Sequence, residues 1–234
     1  MRRLHEEIFY RPLLLTASQL SDGEIALSAE DAQARLAAIG YVDPARALAH
    51  ISSLTEGISR RAKIQRQLLP AMLEWFADGI DPDLGLLAFR RLSDEIGSAH
   101  WYLGLLRDSG LAAKRLTRVL SASRYVGEQL ERIPEGVRWL ARDEQLRPLS
   151  RDLLGREFLA VITRVDTVEE ARDVLRRTRS RELLRISLSH LSGVVSASEV
   201  AHALTDLAEA VLEAGLLVAY HVVARERDAV GEDA

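Results

Sequence analysis

Apolar residues recur along this chain at intervals of three and four rather than two, so its period is that of the α-helix almost throughout. "ISRRAKIQRQLLPAMLEWFADG" holds that spacing from Ile58 to Ala77. Pro70 inside it predicts a kink or a break, because proline lacks the N–H and crowds the preceding turn. Helix punctuation is frequent. Ser28 precedes an acidic first turn and Gly40 closes that segment. Asp43-Pro44 reads as an N-cap with proline at the first helical position. "DGIDPD" is a turn, and Pro82 begins a helix running toward Gly97. Ser98 opens a further segment that ends at "DSG", residues 108–110. Short helices follow over 111–120, 123–132 and 134–141, and Pro148 and Ser150 introduce another.

Two capping boxes mark the C-terminal part, Thr167 with Glu170 and Ser196 with Glu199, in which a hydroxyl and a carboxylate satisfy each other's backbone amides. They predict a helix of roughly 25 residues ending near Gly193 and a second of similar length reaching about Arg227. "GLLVAYHVV" has strand-friendly residues but continues the period of a helix already capped. The pattern as a whole predicts an all-α, multi-helix bundle of about ten helices with two long C-terminal ones. Residues 17–34 carry the weakest pattern, and no repeat of fixed period is present.

Composition narrows the function classes. Acid and base nearly cancel, with a net charge of −4, which argues against a nucleic-acid binder. There is no cysteine, which excludes disulfides and thiolate metal sites and suits the cytoplasm. No apolar run approaches the ~18 residues of a membrane span, and the N-terminus lacks a signal-peptide core.

All of the 31 basic residues but Lys63 and Lys114 are arginine. Arginine's fork suits phosphate and carboxylate, although a GC-rich genome raises arginine, alanine and leucine together. The densest stretch is "VLRRTRSRELLRISLSHLSG", residues 174–193. On a helical wheel its leucines and isoleucine spread over more than half the circle. Arg181, Arg185 and Thr178 share the remaining polar side, and Arg176 and Arg179 fall within the apolar arc. A membrane-surface helix keeps its bases on one face. This one is expected instead to be packed on several sides, its arginines paired with carboxylates of neighbouring helices. Arg179, Arg181 and Arg185 are the candidates for contact with phosphate or a partner.

Catalytic motifs are lacking. The histidines form no His-x-x-x-His zinc pair. His190 and His202 lie on neighbouring helices and read as satisfied helical histidines rather than ligands. No phosphate-binding glycine loop, dinucleotide turn or serine elbow occurs. Asp81-Pro-Asp83 has the spacing of a two-metal site, but it follows no strand and reads as a turn and N-cap. No catalytic residue, metal ligand or cofactor site is assigned within the chain.

Several stretches together resemble one family. "LLAFRRLSDEIGSAHWYLGLLRDSGLAAKRLTRVLSASRYVGEQLERIPEGVRWL" and "RRTRSRELLRISLSHLSGVVSASEVAHALTDLAEAVLEAGL" resemble the helical region of glutamine synthetase adenylyltransferases that precedes their second nucleotidyltransferase core. "GISRRAKIQRQLLPAMLEWFADGIDPDLGLLAFRRL" resembles the part between the two halves in actinobacterial members. "RRLHEEIFYRPLL" resembles the last helix of the first, deadenylylating half. The resemblance implies the end of a preceding helical domain over 1–16, a linker and short helix over 17–42 and a linker helical region over 43–97. Residues 98–234 would form the bundle before the second core. One departure is His190, where the family often has aspartate.

The family carries one core that adds AMP to a tyrosine of glutamine synthetase and one that removes it, each with a Gly-Ser turn and metal-binding aspartates. This chain has neither. The resemblance therefore implies a non-catalytic linker or regulatory segment. ATP and magnesium would belong to the full-length enzyme, with glutamine synthetase, the PII signal protein and the flanking nucleotidyltransferase domains as partners. Two alternatives stand beside it: a free-standing helical interaction module, and one chain of a split adenylyltransferase.

Overall fold

The computed structural model describes residues 28–165 and 167–232, with side chains up to 224. The helix expected in 1–16 and the first part of the 17–42 linker lie outside the described residues. Twelve helices and no strand occur among the described residues, and they fall into two units divided between Gln145 and Leu146.

In the first unit the helices begin where short polar side chains reach back to backbone amides. Helix α1 (Ala29–Ala38) is capped by Ser28, which accepts from the Asp31 amide, and Gly40 turns the chain at φ 108°, a left-handed value that favours glycine. Helices α2 (Pro44–Thr55) and α4 (Pro82–Ile96) share one design, an aspartate cap, Asp43 or Asp81, followed by proline at the first helical position. Helix α3 (Arg60–Ala77) runs unbroken through Pro70. The break expected there does not occur: Leu69, Met72, Leu73 and Phe76 are fully buried on its inner face, and burial worth about 1.5–3 kcal/mol per large side chain outweighs one lost hydrogen bond.

Helices α5 (His100–Asp108), α6 (Gly110–Ala122) and α7 (Arg124–Arg132) follow with almost no loop. The cap of α5 is Ala99, which makes no side-chain bond, rather than Ser98. Ser109 ends α5 and caps α6, and Ser123 ends α6 and caps α7. Short turns α8 (Gly136–Trp139) and α9 (Asp143–Leu146) complete the series. Helix α4 packs on α2, α3, α6 and α7, so residues on both sides of position 97 share one core. Phe76 and Phe89 meet at its centre, ring centroids 6.1 Å apart. Gly85 admits them: a Cβ there would lie 2.5 Å from Cδ1 of Phe76.

The second unit holds α10 (Arg151–Ile162), α11 (Val168–Leu191) and α12 (Ala197–Glu232), each packed on the other two. Both capping boxes form. The Thr167 hydroxyl accepts from the Glu170 amide at 3.2 Å. The Ser196 amide donates to Glu199 at 2.7 Å, and the Glu199 amide donates back to the Ser196 hydroxyl at 3.3 Å. Gly193, at φ 74°, turns the chain between α11 and α12. Helix α12 passes Arg227 and continues to Glu232, 36 residues in all. Nothing in "RERDAVGE" stops it, because its single glycine costs a helix only about 1 kcal/mol. The core joins Leu154 and Phe158 of α10, Ile186 of α11, and Ala203, Leu207, Ala210 and Ala214 of α12. Three alanines among four inward positions let α12 approach closely.

Candidate functional site: the arginine-rich helix and its surroundings

Helix α11 is buried on two sides. Glu182, Ile186 and Ser189 are buried along one stripe, and Leu184 and Leu188 along another, which at 100° per residue lies about 200° away. This is the packing expected of so apolar a helix, and it decides where the arginines go.

Arg185 donates to Glu182 at 2.9 Å, with both side chains nearly enclosed, 11% and 4% exposed. The other oxygen of Glu182 accepts from the Leu149 amide at 2.8 Å. Burial pushes the Glu182 carboxyl above its ordinary range, against the pull of the Leu149 amide and Arg185. One carboxylate thus fixes the chain leading into α10 and holds an arginine of its own helix. Arg181 reaches across to Glu157 of α10 at 3.5 Å. Arg179 is exposed and makes no ion pair among the described residues. The three arginines therefore do not converge: one is enclosed, one bridges two helices at the surface, and one faces solvent. Arg151, outside the dense run, clamps Glu209 and Glu213 of α12.

The histidines are locally engaged. His190 donates from Nδ1 to the Val195 carbonyl at 3.4 Å, and His202 from Nδ1 to that of Ser198 at 2.8 Å. No cluster of three metal-ligating side chains occurs among the described residues. Asp81 accepts from the Leu84 amide at 2.9 Å, and Asp83 accepts from the amides of Val42 and Asp43 at 2.7 and 3.3 Å. Both carboxylates are fastened to backbone as cap and loop tie, so the pair does not fit a centre for two magnesium ions and a nucleotide.

Helix α12 leaves an apolar face uncovered. Leu212, Leu216 and Tyr220, spaced by four, are 67%, 70% and 72% exposed. Residues 197–224 are also long and apolar enough to cross a membrane by length and composition. Their opposite face, however, carries the alanines and Leu207 of the core, and Glu209 and Glu213 pair with Arg151.

The sequence reading passed over a second group of arginines. In the first unit Arg46, Arg90, Arg91 and Arg124 line a cavity of about 670 Å³ together with His50. Its only local trace is Arg46 four residues before His50, which puts both on one face of α2.

Comparison with known proteins identifies the segment. The family model for glutamate-ammonia ligase adenylyltransferase matches residues 113–233. Bifunctional glutamine synthetase adenylyltransferase/adenylyl-removing enzymes are similar over most of the chain. The one from Leifsonia xyli is 53% identical over 91% of this chain and 22% of its own length. The one from Streptomyces coelicolor is 50% identical over 82% and 20%, and that from Mycolicibacterium smegmatis 42% over 92% and 22%. The chain thus spans about a fifth of the length of the relatives it matches. With more than half of its residues inside the family model and relatives 50% or more identical over most of it, the chain belongs to the glutamate-ammonia ligase adenylyltransferase family.

Proposed function

We propose that this segment is the helical linker and regulatory region of an enzyme that adenylylates and deadenylylates glutamine synthetase, and that it joins the two active sites without contributing catalytic groups. The observation that carries the reading is the pairing of an all-α architecture among the described residues with a match to about a fifth of bifunctional relatives. The Asp81 and Asp83 carboxylates are fixed on backbone amides, which supports a site for ATP and magnesium elsewhere in the full-length enzyme, in flanking nucleotidyltransferase domains. The Leu212–Leu216–Tyr220 face supports the presence of a neighbour, since contiguous exposed apolar surface marks contact sites. Packed helices shift between discrete arrangements rather than deforming continuously, which suits a segment that conveys the state of glutamine and the PII signal protein from one site to the other. The proposed location is the cytoplasm, with glutamine synthetase. Arg179, Arg181 and Arg185 are the proposed contacts for phosphate or partner, Arg179 with its guanidinium in solvent.

The test uses a full-length family member carrying Arg181→Ala or Leu216→Glu at the matching positions. Addition and removal of AMP on glutamine synthetase are followed with and without glutamine and PII. The expected result is retained basal chemistry with a weakened response to the effectors. An unchanged response in both variants rejects the regulatory role. AMP transfer from ATP by this chain alone rejects the non-catalytic one.

A further inference from the structure

The cavity in the first unit lies where α2, α4 and α7 meet. Its floor is apolar, from Leu84, Leu87 and Ala88 of α4. Gly127 of α7 sits against that floor, where a Cβ would lie 3.2 Å from that of Ala88, so glycine allows the two helices to close the base. The walls are cationic. Arg46 comes from α2, Arg90 and Arg91 from α4, and Arg124 from α7. Arg90 is tied to Asp94 at 3.2 Å. Arg46, Arg91 and Arg124 have no ion pair among the described residues. Glu128 and Glu131 line the same space but do not pair with these arginines.

A second observation marks the cavity as more than a gap between basic side chains. His50, 8% exposed, lines it, and its buried Nε2 has no hydrogen-bond partner. Buried polar atoms in folded proteins are nearly always satisfied, and an orphan calls for a group to meet it. Burial and the charges of Arg90, Arg46 and Arg91 hold the His50 pKa below its ordinary value, opposed only by Asp43. Three guanidiniums therefore project their field onto one enclosed ring, while Glu128 and Glu131 lie on the α7 side. Arginine's planar fork matches the oxygens of phosphate and carboxylate. A volume near 670 Å³ exceeds what a bare phosphate fills and falls in the range of small-molecule sites.

We propose that this cleft binds a small organic oxyanion, anchored through a phosphate or carboxylate by Arg46, Arg90, Arg91 and Arg124, with Nε2 of His50 as a further hydrogen-bonding group. Glu128 and Glu131 supply acceptors for a hydroxyl or amino group on the same molecule. The charge of the site selects an anion, and its apolar floor selects one with a carbon skeleton.

The experiment titrates the full chain with pyrophosphate and, separately, with citrate, read by calorimetry and by NMR of the histidine ring protons. Saturable binding of at least one probe is expected, with the His50 resonance titrating at higher pH once the anion is bound. A preference for pyrophosphate assigns a phosphate anchor, and one for citrate a carboxylate anchor. Arg46→Gln, Arg91→Gln and Arg124→Gln are each expected to weaken binding by about tenfold or more, the effect of losing a charge-assisted hydrogen bond. Arg172→Gln, an exposed arginine of the other unit paired with Asp173, leaves it unchanged. Thermal midpoints close to the parent's verify that the variants fold. Absence of saturation by both probes overturns the proposal. So does an affinity equal to the parent's in all three cleft variants, or an equal loss in Arg172→Gln.

Discussion

The two units use arginine in opposite ways. In the second, arginines crowd one stretch of sequence, and carboxylates of the same three helices take up two of them, Glu182 holding Arg185 and Glu157 holding Arg181, while Glu209 and Glu213 hold Arg151 outside that stretch. In the first, four arginines scattered from 46 to 124 converge on one cavity, and only Arg90 among them forms an ion pair with a carboxylate among the described residues. Local density of charge is therefore a poor guide to where an anion binds. What decides is whether the neighbouring helix offers a counter-charge, and that is a property of packing.

The sharpest way to break this contrast is at Glu182. Glu182→Ala removes the enclosed counter-charge of Arg185 and the acceptor of the Leu149 amide, and is expected to destabilise the second unit by about 3 kcal/mol, measured by urea denaturation. A loss below ~1 kcal/mol would mean that the pair is incidental to the packing of α11. Next comes Gly85→Ala. The added methyl meets the ring of Phe76 and overpacks the first unit, for a loss of about 2 kcal/mol that leaves the second unit's transition in place. If both transitions move together, the units do not unfold separately.

The third prediction is a difference in sign with pH. The fold of the first unit binds fewer protons at His50 than the unfolded chain does, because its pKa is lowered. Its contribution is present above about 6.5, the unfolded value, and is lost as pH falls from there through the lowered pKa. The fold of the second unit binds more protons at Glu182, whose pKa is raised. That contribution is greatest below the ordinary glutamate range and is lost as pH rises through the raised value. Stability measured from pH 7 to pH 5 should fall in the first unit with a slope that His50→Gln removes. The smallest effect is expected at Arg181→Gln. Its 3.5 Å pair with Glu157 is surface-exposed and contributes less than about 0.5 kcal/mol, so a larger loss would bring Arg181 closer to the enclosed pattern of Arg185.

The local part of this architecture is legible in the sequence. Asp43 before Pro44, Asp81 before Pro82, Thr167 with Glu170 and Ser196 with Glu199 each act within four residues, and each forms its cap. Legibility fails where a distant partner decides. Pro70 reads as a kink or a break, and no break occurs, because the core around Leu69, Met72 and Leu73 keeps the helix whole. Helix α12 reads as ending near Arg227, but it carries on for want of a stop. The oxyanion cleft draws on residues 46, 90 and 124, about 40 positions apart and brought together only by packing. Nothing in the neighbourhood of any one of them distinguishes it from an ordinary surface arginine.

Ser109 and Ser123 give the first unit a mechanical character. Each is at once the C-cap of one helix and the N-cap of the next. The Ser109 amide donates to Leu105 behind it, and its hydroxyl accepts from the Ala112 amide ahead. A joint of one residue has two torsions, and here each is clasped by a bond on its own side. Turning α6 against α5 would release one clasp or the other. The joints at Ser109 and Ser123 therefore restrain the angles between α5, α6 and α7, since a change of angle costs a cap bond and there is no loop between the helices to take it up.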